Sequence, residues 1–174
     1  MAISSFGMNL YFQRLRDAIE SATRNMSVDE LSRRPAEGKW SSAEILEHLN
    51  LTYTGTVKNL ERSLAAGKPL GGAPTLEQRL RSFAVAELGY FPPGRSSPES
   101  AKPKGMPADR ILSEINSRIA QLDDVIQKCE NEFGKHVFVA DHPVLGPITM
   151  EQWRKFHWVH GRHHTKQIVR MRNR

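Results

Sequence analysis

The residues best suited to chemistry sit in His160-Gly161-Arg162-His163-His164-Thr165-Lys166-Gln167, with a further imidazole just upstream at His157. Histidines four apart lie one above the other on the same helical face, so His160 and His164 can aim two ring nitrogens at one ion, as helical zinc motifs do. A catalytic zinc takes three protein ligands and leaves one position open for water or substrate. The third ligand must come from elsewhere. His48, in Trp40-Ser41-Ser42-Ala43-Glu44-Ile45-Leu46-Glu47-His48-Leu49, is the best-placed candidate.

The polar groups around this set admit several roles. His157 either lines the same cavity as a proton shuttle or lies on the surface. His163 is turned about a quarter circle from His164, where it supports the ligands, packs between helices or meets solvent. Glu44, one turn before His48, can orient the imidazole as carboxylates beside metal-bound histidines do, although a helix-capping role competes for it. Gln167 can bind substrate or hold a metal-bound water. His136 and His142 fall in loop sequence and are expected to face solvent or cap turns. Nothing beside Cys129 would lower its pKa, which argues against a catalytic thiol. The chain has no Gly-rich phosphate loop, no nucleophile elbow and no protease-like His-Glu pair.

These side chains need helices to position them, and the pattern supplies four long ones with no alternating β-branched strand, so the expected class is all-α. The first helix is predicted over about Met8 to Asn25, with Leu10, Tyr11, Leu15, Ala18, Ile19 and Ala22 facing inward. A short turn at Ser27–Leu31 follows. The second long helix opens at a capping box, Ser41 with Glu44, and stops at Gly67. The third runs from after Asp109 through Ile111, Ile115, Ile119, Leu122 and Ile126 to about Glu132, and Asp141–Pro147 is read as a rigid loop. Thr149 with Gln152 opens the histidine helix.

Residues 67–106 are rich in glycine and proline, with a short helix from Thr75 to about Ala84 and irregular chain at 91–98. A connection this long inside one domain is read as a crossover that makes the second and third long helices roughly parallel. The stretch from Tyr90 to Met106 is placed over the open end of the helices, where it would select the substrate.

With 174 residues the chain fits one domain, 1–174, and its single cysteine excludes an internal disulfide and suits a reducing, cytoplasmic setting. The N-terminus lacks the pattern of a signal peptide, and no stretch approaches membrane-spanning length. A net charge of +6 raises the question of nucleic acid. Arg154, Lys155, Arg162, Lys166, Arg170, Arg172 and Arg174 are nevertheless spread along the sides of the last helix, without a helix-turn-helix signature, and read as a solvated face. Arg162 and Lys166 are the cations nearest the histidines and are candidates for binding substrate carboxylates.

The two motifs in this order, Trp40-Ser41 through Glu44 to His48-Leu49 and His160 through His163-His164 to Gln167-Ile168, resemble those of the DinB-like (DinB/YfiT-like) superfamily of metalloenzymes. The resemblance covers nearly the whole chain. It implies a four-helix bundle with a long crossover between helices two and three, and a divalent metal, zinc or nickel, held by His48, His160 and His164. It further implies a homodimer and a small-molecule substrate, such as a low-molecular-weight thiol used in S-transfer, or a hydrolytic reaction. The competing expectation is a non-catalytic stress-response, ligand-binding or partner-binding bundle whose metal is structural or absent.

Overall fold

Helix starts in this protein are written locally. In the computed structural model, which describes residues 7–90 and 97–173, four helices open on complete capping boxes: Ser27 with Glu30, Ser41 with Glu44, Thr75 with Gln78 and Thr149 with Gln152. Each box satisfies two backbone donors that the first turn leaves unpaired. The described residues form α1 (Leu10–Thr23), α2 (Val28–Ser32), α3 (Ser42–Ala65), α4 (Leu76–Ala86), α5 (Ala108–Phe133) and α6 (Met150–Arg172). The protein is therefore mostly helical, as its periodicity predicted.

Helix ends are equally local. After α3, Gly67 takes φ +61°, Gly67 N–H donates to Leu64 O at 3.1 Å and Lys68 N–H to Ser63 O at 3.3 Å. This is a Schellman stop, in which a left-handed glycine lets the last carbonyls find partners. Gly134 closes α5 at φ +100°.

Two sequence expectations need correction. The loop predicted over Asp141–Pro147 contains a small antiparallel hairpin, β1 (Ala140–His142) with β2 (Gly146–Ile148), in register Ala140↔Ile148. Strands of three residues, one with Pro147 inside it, are too short to show alternation. In α1 the inward stripe is Phe12, Leu15, Ile19 and Ala22, whereas Leu10 is 57% exposed and Tyr11 and Ala18 are only half-buried. Asn9 caps the helix through Tyr11 N–H, which sets the rotation so that Phe12 points inward. Most of the irregular chain expected at 91–98, and the first six residues of the N-terminus, lie outside the described residues.

The buried apolar side chains of α1, α2, α3, α5, α6 and the hairpin form one cluster, with Trp153, Tyr53, Phe12 and Leu15 among its largest members. Contacts between partners fix the helix directions. Glu47 near the start of α3 meets Lys104–Met106 just before α5, and Leu60 near its end meets Cys129 near the end of α5. The two helices thus run the same way, and the segment between them has to return along their length. On α6, His157 meets Tyr53 while His160 and His164 meet His48, so α6 runs against α3. That antiparallel arrangement brings His48 to the same level as the histidine pair.

The basic residues of α6 are not all solvated. Arg154 is 6% exposed and pairs with Glu130 of α5 at 2.6 Å, and Lys155 pairs with Glu87 at 2.8 Å and Glu151 at 3.2 Å. Arg154 and Glu130 join α6 to α5 through a largely desolvated pair, in which removing either partner alone would strand a charge.

Candidate metal centre

His48 is placed by the second turn of α3 and His160 and His164 by the middle of α6, and all three are buried. Their ring nitrogens converge: His48 Nε2 is 3.2 Å from His160 Nε2, and His164 Nε2 is 3.0 Å from the same atom. One ligand atom from each lies within 4.8 Å of the others. Nitrogens bound tetrahedrally at 2.0–2.1 Å sit about 3.3 Å apart, so the spacing suits one ion with little adjustment.

The far sides of two rings are tied down. His48 Nδ1 donates to the carbonyl of Ala101 at 2.8 Å, and His164 Nδ1 donates to Gln167 Oε1 at 2.8 Å. Both acceptors require the proton on Nδ1, which leaves the Nε2 lone pairs of His48 and His164 facing the common point. Such outer partners fix tautomer and ring angle at metal sites. Burial holds the imidazoles neutral: the pKa of His164 falls to about 3, chiefly from burial and then from His48. That of His160 is well below its ordinary value, first from burial and then from His164 and His48. His48 is lowered by burial, against the opposing pull of the Ala101 carbonyl. Neutral imidazoles are the form that binds metal.

Several supporting residues have roles other than those expected. Glu44 does not reach a ligand imidazole; its carboxylate completes the Ser41 cap and pairs with Arg34. Gln167 bridges two histidines, accepting from His164 and donating from Nε2 to His163 Nε2 at 3.2 Å. His163 lines the cavity beside His164, with ring centres 5.2 Å apart. His157 neither lines the cavity nor reaches the surface. It is completely buried among Phe12, Tyr53, Trp153 and Phe156. His136 is exposed, whereas His142 is buried and caps the hairpin turn, its Nδ1 accepting from Val144 N–H and Leu145 N–H at 3.1 Å each. Cys129 is buried, and burial raises its pKa to about 11.

Sequence reasoning missed the residue that anchors the end of the crossover. Glu47 is 2% exposed, and its carboxylate accepts from the backbone N–H groups of Lys104 (2.8 Å), Gly105 (3.0 Å) and Met106 (3.0 Å). Together with the bond from His48 to Ala101, it fastens the crossover to the start of α3. Adjacent Glu-His in an otherwise apolar helical stretch was the available signal, since a buried carboxylate needs donors. Glu47→Gln should lower stability by about 1–3 kcal/mol, because an amide N–H₂ now faces a backbone donor. Hydrogen exchange at residues 104–106 should accelerate selectively; unchanged protection there would reject the clamp.

The three rings face a cavity of about 1210 Å³ bounded by α3, α4, α6, the hairpin and the 3₁₀ turn Glu99–Ala101. Trp40 lies 5.2 Å from the His48 ring, and Phe156 stacks on His160 at 5.2 Å and 17°. Arg162 and Lys166 are exposed and outside this cavity, with Arg162 over the Trp158 ring at 5.9 Å. Among the described residues, the cations that line it are Lys58, Arg62, Arg81 and Lys102.

Three neutral imidazoles from two helices, two of them with anchored outer nitrogens and all open towards a cavity, make a donor set able to hold one metal ion. The chain belongs to the DinB superfamily, whose family profile matches residues 11–168. No curated protein and no solved structure matches the chain. Among the described residues, no helix is long and apolar enough to cross a membrane.

Proposed function

We propose that this protein is a divalent-metal-dependent enzyme built as a four-helix bundle of the DinB/YfiT type, acting on a small molecule through a centre formed by His48, His160 and His164. The observation that carries the reading is the convergence of the three buried Nε2 atoms, with the Nδ1 atoms of His48 and His164 held by Ala101 and Gln167. An all-imidazole set suits zinc or nickel. A divalent ion held there supplies Lewis acidity, lowering the pKa of a thiol or a water at its open position.

The remaining work falls to the chain. His48 and His164 stay neutral because burial opposes their protonation. Trp40 and Phe156 wall the centre with aromatic surface and limit water. Gln167 holds His164 and touches His163, which leaves His163 as the ionisable group at the cavity wall nearest the ligands. Its pKa is lowered by partial burial and then by Arg170 and Lys166, so at neutral pH it is unprotonated, and its Nε2 accepts from the Gln167 amide that orients His164. Between the two reaction types, thiol-dependent S-transfer is preferred over hydrolysis on the family resemblance alone.

The test is metal content by plasma mass spectrometry on untagged protein, with His48→Ala and His164→Ala alongside. The expected result is close to one divalent ion per chain, lost in both variants, followed by turnover in a screen of thiols with electrophiles. Gln167→Ala should retain the ion with affinity weakened about 10–100-fold. Full metal content in His164→Ala would overturn the ligand set. A stoichiometric ion without turnover of any thiol or hydrolytic substrate would favour a binding role.

A further inference from the structure

The cavity is much longer than the metal centre needs. α3 lines it turn after turn, at His48, Thr52, Gly55, Asn59 and Arg62. With a rise of 1.5 Å per residue, Lys58 lies about 15 Å and Arg62 about 21 Å along the helix from His48. Gly55, midway, has nothing within 4 Å of where a Cβ would sit, so the path along the helix is open there. Its volume, about 1210 Å³, exceeds the range of roughly 300–1,000 Å³ usual for small-molecule sites.

The two ends differ in unpaired charge: at the histidine end Lys102, next to Ala101, pairs with Glu99 at 2.6 Å. Lys58 and Arg62 are one turn apart on α3, and neither makes an ion pair among the described residues. Arg81 faces the same cavity from α4, held by Val144 O at 2.9 Å and by Glu77. No carboxylate is found among the described lining residues. Between this cationic end and the histidines the wall is largely apolar, with Val85, Val144, Leu145, Trp153 and Phe156.

We propose that the cavity takes an elongated anionic ligand, whose carboxylate or phosphate is bound by Lys58, Arg62 and Arg81 while an apolar body lies along α3 and the reacting group reaches the histidines. The assignment rests on the proposed function for its reacting end, and on charge and shape for the rest. Arginine pairs with carboxylate and phosphate oxygens in a two-point fork, and lysine supplies a mobile point charge beside it.

The test uses probes of one chain length: dodecanoate, dodecyl phosphate and dodecyltrimethylammonium, titrated calorimetrically into wild-type protein and Lys58→Ala/Arg62→Ala. Both substituted side chains are exposed and make no ion pair among the described residues, so the variant should fold and keep the metal content of wild type. The expected result is at least a tenfold preference for the anions over the ammonium. That preference should shrink in 0.5 M salt and vanish in the double variant. Tighter binding of the phosphate than of dodecanoate would identify the headgroup. Equal affinity for anion and cation, or a preference untouched by the double substitution, would overturn the proposal. His48→Ala separates the two readings: metal retained there removes the metal centre, while an anion preference that persists there leaves the cationic end standing.

Discussion

Metal-free protein should unfold in mild acid, over about pH 4.5–5.5, well before its carboxylates titrate. The cause is a set of histidines that the fold holds neutral. Burial lowers His157 to about 3, with a further contribution from His142, and burial alone lowers His142 to about 4. His164 is brought to about 3 mainly by burial. In the unfolded chain each returns to its ordinary value near 6.5. Below pH 6.5 the unfolded state therefore binds protons that the native state refuses, and stability falls as pH falls. The stabilisation is complete above pH 6.5 and is lost as pH drops towards the folded values. Each such histidine contributes about 1.4 kcal/mol per pH unit, so three together remove about 4 kcal/mol per unit. Against a total of 5–15 kcal/mol that is decisive.

Glu30, Glu44 and Glu151 have lowered pKa values, from the Ser27 cap, Arg34 and Lys155 respectively, and they destabilise the fold only below about pH 4.5. The two windows are separable. His157→Phe provides the control, since neither His157 ring nitrogen has a hydrogen-bond partner among the described residues and phenylalanine fills a similar volume. Urea unfolding between pH 8 and 4.5 should show the variant at least as stable as wild type at pH 8, with a pH slope shallower by about one proton. Superimposable slopes would mean that His157 is not held neutral.

The second large effect is expected from Gly161→Ala, a change that ordinarily stabilises a helix by about 1 kcal/mol. Here the added Cβ would stand 2.1 Å from Leu15 Cδ1 and 3.5 Å from Tyr53 Oη. Leu15 is fully buried, so its methyl has no space to rotate into and α1 must move away from α6. Overpacking of this kind costs about 1–3 kcal/mol. A loss of about 2 kcal/mol would lower Tm by about 4–8 °C in a chain of this size. Because Gly161 follows His160 directly, metal affinity should fall too. Leu15→Ala alone should cost about 2–5 kcal/mol, yet in that background Gly161→Ala should be neutral or stabilising. Additive losses in the double variant would exclude the clash.

What the chain alone determined lies within a few residues of itself. The boxes at Ser41 and Thr149 start α3 and α6 because cap and partner are three residues apart, and the pairing of His160 with His164 needs only one turn of helix. The stripe of Ile111, Ile115, Ile119, Leu122 and Ile126 specifies α5 by the same short-range periodicity. Family motifs named His48 as well. What tertiary structure decided depends on groups distant in sequence: His48 reaches Ala101 across 53 positions and His160 across 112. Glu47 became the clamp of the crossover only when residues 104–106 were folded against it. His157 and His163 carry the same ring, and packing on α1 and α3 buried the first while leaving the second at the cavity wall. Arg162 and Lys166 share a helix with the histidine pair yet lie outside the cavity, which Lys58, Arg62 and Arg81 line. Charge and periodicity say which residues share a helix face, but only the packing of α4 and the hairpin against α3 decides which of those faces encloses a cavity.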